Sequence, residues 1–182
     1  MNLKRLSHPL VWVAAAIIGL GVAASLYYSS RLDVPLPVPP AQAEQAPKFE
    51  LPDLAGNAVR LEDFRGKIVL LHLWAAGCDP CIEEMRVLER FRKSRLRELA
   101  VVGVALRTTA DEARRFVEML GVEYPVLLGD EGFAQKYRSD DLPRTFLIDK
   151  RGRLRSSMPH PSGNLYDYFH ALVNSIAAER GQ

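Results

Sequence analysis

The longest apolar stretch of the chain lies near its N-terminus, from Leu10 to Tyr28, and contains no Asp, Glu, Lys or Arg. As a helix these 19 residues would be about 28 Å long, nearly the hydrocarbon thickness of a bilayer. Lys4 and Arg5 precede the stretch whereas Arg31 alone follows it closely, which favours a cytoplasmic N-terminus. We therefore predict a membrane anchor over residues 1–31, with a transmembrane helix over about residues 10–28.

A cleaved signal peptide is the alternative interpretation of this segment. Its apolar region would be roughly 7 to 15 residues long, with a small-residue cleavage site directly behind it. The apolar stretch here is longer, and the small-x-small pattern of Ala41-Gln42-Ala43 lies well beyond it. The pattern therefore favours an uncleaved signal-anchor in the cytoplasmic (inner) membrane. The rest of the chain would then lie on the periplasmic or extracytoplasmic side.

The next segment, residues 32–47, is rich in proline and has few large side chains after Val38. Proline-rich chains favour an extended polyproline conformation with a rise of about 3.1 Å per residue. The segment therefore predicts a spacer that holds a following domain up to roughly 40 Å from the membrane.

From residue 48 to residue 182 the pattern alternates between buried strands and amphipathic helices. Ile68 to Trp74 is an apolar run broken only by His72, as expected of a central strand that is covered on both faces. Further strands are predicted at 100–105, 126–128, 145–148 and around 154, and helices at 80–99, from the Thr109/Glu112 capping box to Gly121, and at 165–178. This order predicts a three-layer α/β domain with a central mixed sheet.

Charge and composition narrow the function classes. The chain has 24 Lys and Arg against 22 Asp and Glu, so its net charge of +2 provides no electrostatic footprint for nucleic acid. It has two cysteines, Cys78 and Cys81, which excludes a framework of several disulfides. A partner must therefore be recognised by a local site, and the cysteine pair is the leading candidate.

Cys78 and Cys81 are separated by Asp79 and Pro80 and follow directly after the predicted central strand. At the start of a helix the first sulfur meets the positive end of the helix dipole, which favours its thiolate. A thiolate attacks disulfides, and the second cysteine is close enough to resolve the resulting mixed disulfide. The pattern thus predicts a redox-active dithiol that needs no further cofactor.

Three other interpretations of the cysteine pair are open. A purely structural disulfide is disfavoured because so small a loop constrains the unfolded chain by only about 2 kcal/mol. A zinc site would need two more ligands, and the chain has no second cysteine pair and no histidine at ligand spacing. A Cu(I) site formed by both thiolates and a histidine such as His160 is chemically allowed, because soft sulfur ligands suit Cu(I).

Four motifs together resemble a known family: Phe49–Leu54, Gly66–Trp74, Cys78–Cys81 and Leu142–Asp149. With the anchor and the spacer, they are similar to the membrane-anchored thioredoxin-like proteins of bacteria. That group comprises periplasmic or extracytoplasmic disulfide reductases and includes cytochrome c maturation factors. The similarity covers roughly residues 48 to 178.

The resemblance implies a thioredoxin-like fold with Cys78 as the attacking sulfur and Cys81 as the resolving one. It also implies a cis peptide bond before Pro143, facing the cysteines. The backbone at Leu142, Pro143 and Arg144 would then pair with an extended segment of substrate. Glu84 matches an acid that assists proton movement near the cysteines in this family.

The resemblance also concerns three further residues near the cysteines, Trp74, His72 and Arg144. Trp74, at the end of the strand motif, is a supporting residue. His72 stands where thioredoxins carry an acid and these relatives often have asparagine, which leaves two interpretations. It is either a core histidine bonded to backbone or water, or part of a proton relay. Arg144 either points into the cleft, where its charge would favour the thiolate, or faces solvent.

The function predicted from these observations is thiol-disulfide exchange with protein substrates outside the cytoplasmic membrane, in the direction of reduction. In an oxidising compartment the pair must be recharged by a membrane partner that donates electrons through thiols. No metal and no nucleic acid are expected. The alternatives are a thiol oxidase or isomerase of the same fold, and a Cu(I)-binding thioredoxin-like module.

Overall fold

The computed structural model describes residues 9–29, 37–94, 98–139, 141–161 and 163–179. The chain divides into two compact units, with the division between residues 34 and 35. The two units are described separately below.

The N-terminal unit contains the helix α1, which spans Pro9–Ser29 and includes the segment predicted as an anchor. Within the described residues, no helix combines the length and the apolar character that crossing a membrane requires. The prediction of a transmembrane span over residues 10–28 therefore rests on the sequence. Its flanking charges, Lys4, Arg5 and Arg31, lie outside the described residues.

The second unit alternates strands and helices as predicted. Its strands are β1 (Glu50–Pro52), β2 (Ala58–Arg60), β3 (Ile68–Trp74), β4 (Leu99–Ala105), β5 (Val126–Leu128), β6 (Arg144–Ile148) and β7 (Leu154–Pro159). Its helices are α2 (Asp79–Ser94), α3 (Ala110–Leu120), α4 (Glu131–Lys136) and α5 (Leu165–Ala177), and a 3-10 turn covers Leu61–Phe64. The predicted α/β architecture is confirmed, whereas the short β1–β2 hairpin and α4 were not predicted.

The main sheet has the strand order β5-β4-β3-β6-β7, with β3 at its centre. β3 is parallel to β4 and antiparallel to β6, so the sheet is mixed as predicted. All seven residues of β3 are buried, because helices or loops cover both faces of the sheet. The register places His72 between Gly103 on β4 and Thr145 on β6.

Alternate residues of β3 serve the two faces of the sheet. Val69, Leu71 and Leu73 join an apolar cluster with Phe49 and Phe133, whose rings meet edge to face at 5.6 Å. The opposite face, which carries His72 and Trp74, is covered by α2, α3 and α5. His72, the polar residue of β3 on this face, therefore points toward α2.

One predicted boundary was wrong. The helix predicted over residues 80–99 does not extend to Leu99: α2 spans Asp79–Ser94, residues 95–97 lie outside the described residues, and Leu99 is the first residue of β4. Leu99 is buried beside Ile68 in the parallel pair, so its apolar character serves the sheet. By contrast, the capping box of α3 and its end at Gly121 are as predicted, since Gly121 adopts the left-handed conformation with φ +63°.

The second half of the segment predicted as a spacer is part of the folded domain. The backbone of Val38 donates to the carbonyl oxygen of Arg155 at 2.7 Å, and Leu154 donates to the carbonyl oxygen of Glu44 at 2.8 Å. Ala46 is buried and donates to the carbonyl oxygen of Gly152. These contacts arise because β7 is an edge strand whose outer hydrogen-bonding groups need partners. The described part of the predicted linker therefore packs on β7, and residues 32–36 lie outside the described residues.

Arg155 fastens this segment to the domain. Its side chain is 1% exposed, and its guanidinium donates to Glu179 at 2.6 and 2.8 Å and to the carbonyl oxygen of Val38. Replacing Arg155 by Gln would leave Glu179 unpaired and remove the bond to Val38. We expect the free energy of unfolding in urea to fall by roughly 2–4 kcal/mol.

The control for this prediction is Lys150→Gln, which also removes one positive charge but at an exposed position. This variant should unfold at the wild-type urea concentration. An Arg155→Gln chain that is as stable as the Lys150→Gln chain would contradict the role given to Arg155.

Candidate active site

The loop between β3 and α2 carries Cys78 and requires a glycine. Gly77 has φ +81°, a left-handed conformation that strains any residue with a Cβ. The backbone N–H of Ala76 donates to the Thr108 hydroxyl at 2.9 Å, which ties this loop to the segment after β4. The chain then turns so that Cys78 directly precedes α2 and its carbonyl oxygen accepts from the N–H of Ile82.

Cys78 and Cys81 form a disulfide, with an S–S distance of 2.02 Å and their Cα atoms 5.2 Å apart. Cys81 is fully buried, whereas Cys78 is only half buried. The sulfur atoms lie at the N-terminal end of α2, where unpaired N–H groups and the helix dipole favour negative charge. The accessible member of the pair is therefore Cys78.

Pro143 lies at the same end of the sheet as the cysteines. β6 begins at Arg144 and pairs with β3 in antiparallel register, with Arg144 opposite Leu73. The start of β6 is therefore beside the end of β3, from which the chain continues to Cys78. The Leu142–Pro143 peptide bond is cis, as the family resemblance implies, and Pro143 is buried.

A buried hydrogen-bonded network lies below the cysteine pair and is centred on Glu84. One carboxylate oxygen, Oε2, accepts from the Thr145 hydroxyl at 3.1 Å and lies 3.2 Å from Nδ1 of His72. The other oxygen, Oε1, lies 2.8 Å from Nδ1 of His160. The side chains of Glu84 and His72 are 1% and 0% exposed, so this is a carboxylate buried between two histidines.

The network keeps Glu84 in its ionised form. Burial on its own raises the pKa of Glu84, because a charge is less stable away from water. The hydrogen bonds and the charge interactions with His72, and then with His160, outweigh this effect. The pKa of Glu84 therefore lies below the usual value for a glutamate.

His72 is a core histidine whose described partners are the side chains of Thr145 and Glu84. Nδ1 lies 3.0 Å from the hydroxyl of Thr145 as well as near Glu84. Since a carboxylate can only accept and Thr145 donates to it, Nδ1 of His72 carries a proton. Nε2 is buried and has no hydrogen-bond partner among the described residues.

Trp74 is a packing residue beside the loop. Its indole is fully buried and meets the ring of Phe116 on α3 edge to face at 6.0 Å. Gly103 on β4 makes room for it, because a Cβ there would lie 3.3 Å from Nε1 of Trp74 and 3.1 Å from Tyr124. Trp74 thus packs the end of β3 against α3.

Arg144 and Leu142 flank the cis proline and are both half buried. One guanidinium nitrogen of Arg144, Nη1, reaches Ser157 on β7 at 3.4 Å. Its Nε is buried without a hydrogen-bond partner in the described part of the chain. This hydrogen bond directs the guanidinium toward the edge strand β7, and the effect of Arg144 on the thiolate stays a prediction.

The sequence analysis missed two members of the network. Thr145 is signalled only by its place at the start of an apolar strand, where alternation puts it on the face of His72. His160 was considered only as a copper ligand, and it lies just after β7, where periodicity carries no information. In the described residues, no group of three or more His, Cys, Asp or Glu side chains is arranged to hold a metal ion.

Comparison with known proteins identifies the family. A family model described as the AhpC/TSA family matches residues 43–157. The thioredoxin-like protein YneN of Bacillus subtilis is 33% identical over 114 residues, which are 61% of this chain and 67% of that protein. The thiol-disulfide oxidoreductase ResA of Bacillus thuringiensis subsp. konkukian is 32% identical over 113 residues, or 61% and 65% of the two chains. The chain, which spans about two thirds of the length of these relatives, belongs to the AhpC/TSA family.

Solved structures show the same fold. The thioredoxin domain of a thiol-disulfide oxidoreductase from Bacteroides vulgatus superimposes with a TM-score of 0.65 at 25% identity, over 72% of this chain and 97% of that one. A candidate thiol:disulfide interchange protein DsbE from Chlorobium tepidum gives 0.66 at 25% identity, over 74% and 96%. The predicted thioredoxin-like fold with a central mixed sheet is confirmed.

Glu84 offers a test of this electrostatic description. Because the pKa of Glu84 is depressed in the folded chain, its charge adds stability above the ordinary glutamate range, about pH 4.3. That contribution is lost as the pH falls through the pKa of the folded state. We expect Glu84→Gln to be less stable than wild type by roughly 1–3 kcal/mol at pH 7, and the difference to shrink in acid.

Urea unfolding of the full chain at a series of pH values measures this effect. Glu83→Gln is the matched control, because Glu83 is the neighbouring residue on α2 and is exposed. It should follow the wild-type pH dependence. An equal loss of stability in acid for wild type and Glu84→Gln would contradict the depressed pKa.

Proposed function

We propose that this protein is a protein-disulfide oxidoreductase that exchanges its Cys78–Cys81 pair with disulfides of protein substrates. The observation that carries the proposal is the disulfide itself, which joins a half-buried and a fully buried sulfur at the N-terminus of α2. The names of ResA and of the Bacteroides vulgatus structure, both thiol-disulfide oxidoreductases, support the enzyme class.

The reaction takes two displacement steps. The thiolate of Cys78 attacks one sulfur of the substrate disulfide, forms a mixed disulfide and expels the other substrate sulfur as a thiolate. Cys81 then gives up its proton and attacks the sulfur of Cys78, which restores the Cys78–Cys81 disulfide and releases the second substrate thiolate. The substrate gains two electrons and the cysteine pair loses two.

The segment before β6 is the proposed docking site for substrate. The cis bond turns the backbone at Leu142 and Pro143 where β6 begins, beside the end of β3. An extended substrate segment would hydrogen-bond to this backbone, as main-chain pairing does in other strand-addition complexes. Leu142 would provide apolar contact and Arg144 a positive charge nearby.

The direction of exchange follows from how well the Cys78 thiolate is stabilised. Its place before α2 stabilises the thiolate, which favours the dithiol form and makes the disulfide more oxidising. Asp79 is exposed in the first turn of α2, and its negative charge opposes the thiolate. We infer that the second effect prevails and that the protein acts as a reductase, recharged by a membrane partner that donates electrons through thiols.

The proposed location is the outer face of the cytoplasmic membrane, with residues 10–28 as a single-pass anchor in the lipid bilayer. Its support is the apolar, uncharged stretch of sequence and the positive charges that precede it. Cytochrome c maturation is the process to which the family resemblance points. The protein should remain in the membrane fraction after carbonate extraction.

The roles of the two cysteines can be separated by trapping. Cys81→Ser keeps the attacking sulfur and lacks the resolving one, so it should accumulate mixed disulfides with substrate proteins in cells. Cys78→Ser is the control and should trap few or none. Non-reducing gels followed by mass spectrometry of the trapped species provide the measurement. Trapping by Cys78→Ser but not by Cys81→Ser would reverse the assignment.

The direction of exchange can be tested by the reduction potential of the cysteine pair. We expect a value nearer to about −270 mV, typical of thioredoxin, than to about −120 mV, typical of DsbA. Asp79→Asn should raise the potential, because it removes a like charge beside the Cys78 thiolate without changing the size of the side chain. Equilibration of the full chain with glutathione redox buffers measures both values.

A wild-type potential above about −180 mV would contradict the reductase proposal and favour the oxidase or isomerase alternative. Glu83→Gln on the next turn of α2 is the control for the loss of one negative charge farther from Cys78. It should change the potential less than Asp79→Asn does.

A further inference from the structure

The buried carboxylate of Glu84 has a single connection to solvent among its described hydrogen-bond partners. His72 is 0% exposed and Thr145 is 2% exposed, so neither meets water. The side chain of His160 is 33% exposed, while its Nδ1 lies 2.8 Å from Oε1 of Glu84. His160 therefore has one ring edge on the buried network and the other available to water.

Cys81, the resolving cysteine, has no such access to water. Cys81 is fully buried, so a proton that leaves its thiol needs an acceptor inside the protein. Glu84 lies three residues farther along α2, which places it on the same helix face as Cys81. Nδ1 of His72 lies 3.2 Å from Oε2 of Glu84, so His72 belongs to the same network. The helical spacing of Cys81 and Glu84, together with the contact between Glu84 and His160, thus connects the helix turn of Cys81 to solvent.

We propose that His160 is the proton exit of the resolving step, a positioning residue that acts through Glu84; this inference rests on the proposed thiol-disulfide exchange. In that step the Cys81 thiol loses its proton to the His72–Glu84 pair and the sulfur of Cys81 bonds to the sulfur of Cys78. The bond between Cys78 and the substrate sulfur breaks, and its electron pair leaves with the substrate. The proton then passes from Glu84 to His160 and on to water.

The other groups that face Glu84 do not take this role. Burial, followed by the charges of nearby acids including Glu84, raises the pKa of Tyr124 and of Tyr168. Both hydroxyls therefore stay protonated and cannot accept a proton near neutral pH. Thr145 does not titrate, and His72 has no contact with water. Of the described groups around Glu84, His160 alone combines an imidazole, a group that can accept and release a proton, with a partly exposed side chain.

The two displacement steps can be observed separately with 5,5′-dithiobis(2-nitrobenzoate). The reduced full chain, mixed with an equimolar amount, releases a first thionitrobenzoate when Cys78 attacks and a second when Cys81 resolves the mixed disulfide. In wild type the second phase should become faster as the pH rises from 5 to 8, because a neutral histidine can accept the proton. The first phase reports on Cys78 alone and provides an internal reference.

His160→Gln should slow the second phase roughly tenfold at neutral pH and flatten its pH dependence, with the first phase unchanged. Added imidazole should restore the second phase of His160→Ala, which a purely structural role would not allow. His170→Gln is the matched control, since His170 is an exposed histidine on α5 whose described partners, including Asn174 and Tyr166, are outside the network. It should match wild type in both phases.

A second phase in His160→Gln with the wild-type rate and pH profile would overturn the inference. Equal slowing of both phases, or no response of His160→Ala to imidazole, would also overturn it and assign His160 a structural role. Failure of the proposed function has a different signature, because wild type itself would then release no second thionitrobenzoate.

Discussion

The burial of β3 on both faces, together with its pairing along both edges, is the constraint on which the rest of the domain depends. The parallel partner β4 and the antiparallel partner β6 fix where the chain leaves β3 and where it enters β6. The exit leads through Gly77 to the cysteines, and the entry follows the cis bond at Pro143. Gly77 and Pro143, which are 66 residues apart in sequence, are thus brought to one end of the sheet by strand register alone.

The same register creates the second feature of the site, a charge in the core. His72 and Thr145 are opposite each other on neighbouring strands, and their side chains meet Glu84 on the helix that covers this face. An isolated buried carboxylate would be protonated, because desolvation disfavours its charge. Three partners satisfy Glu84, so the charge persists beside the buried cysteine.

The fold was largely predictable because its signals are periodic or local. A seven-residue apolar strand, a capping box followed by glycine, and two cysteines at the junction of strand and helix each depend on neighbouring residues. The end of α2 was misplaced, because an apolar residue such as Leu99 fits the helical period and the following strand equally well. Apolar pattern alone does not separate these two environments.

The site was predicted less completely, for a physical reason. Cys78, Cys81 and Glu84 follow one another at three-residue intervals from the start of α2, so their spacing reveals them. The connection from Glu84 to His160 crosses from α2 to the end of β7 and depends on tertiary packing, which leaves no periodic trace. The same is true of the proline-rich segment before residue 48, whose backbone pairs with β7 although its composition is that of a spacer.

The central claim is that the cysteine pair, the cis proline and the Glu84 network form one redox-sensitive site. Amide and imidazole chemical shifts of the full chain, recorded before and after reduction with dithiothreitol, test it most directly. The account predicts changes concentrated at residues 76–84, at 142–145 and at His160. Reduction that leaves 142–145 and His160 unshifted, while other parts of the domain respond, would contradict it.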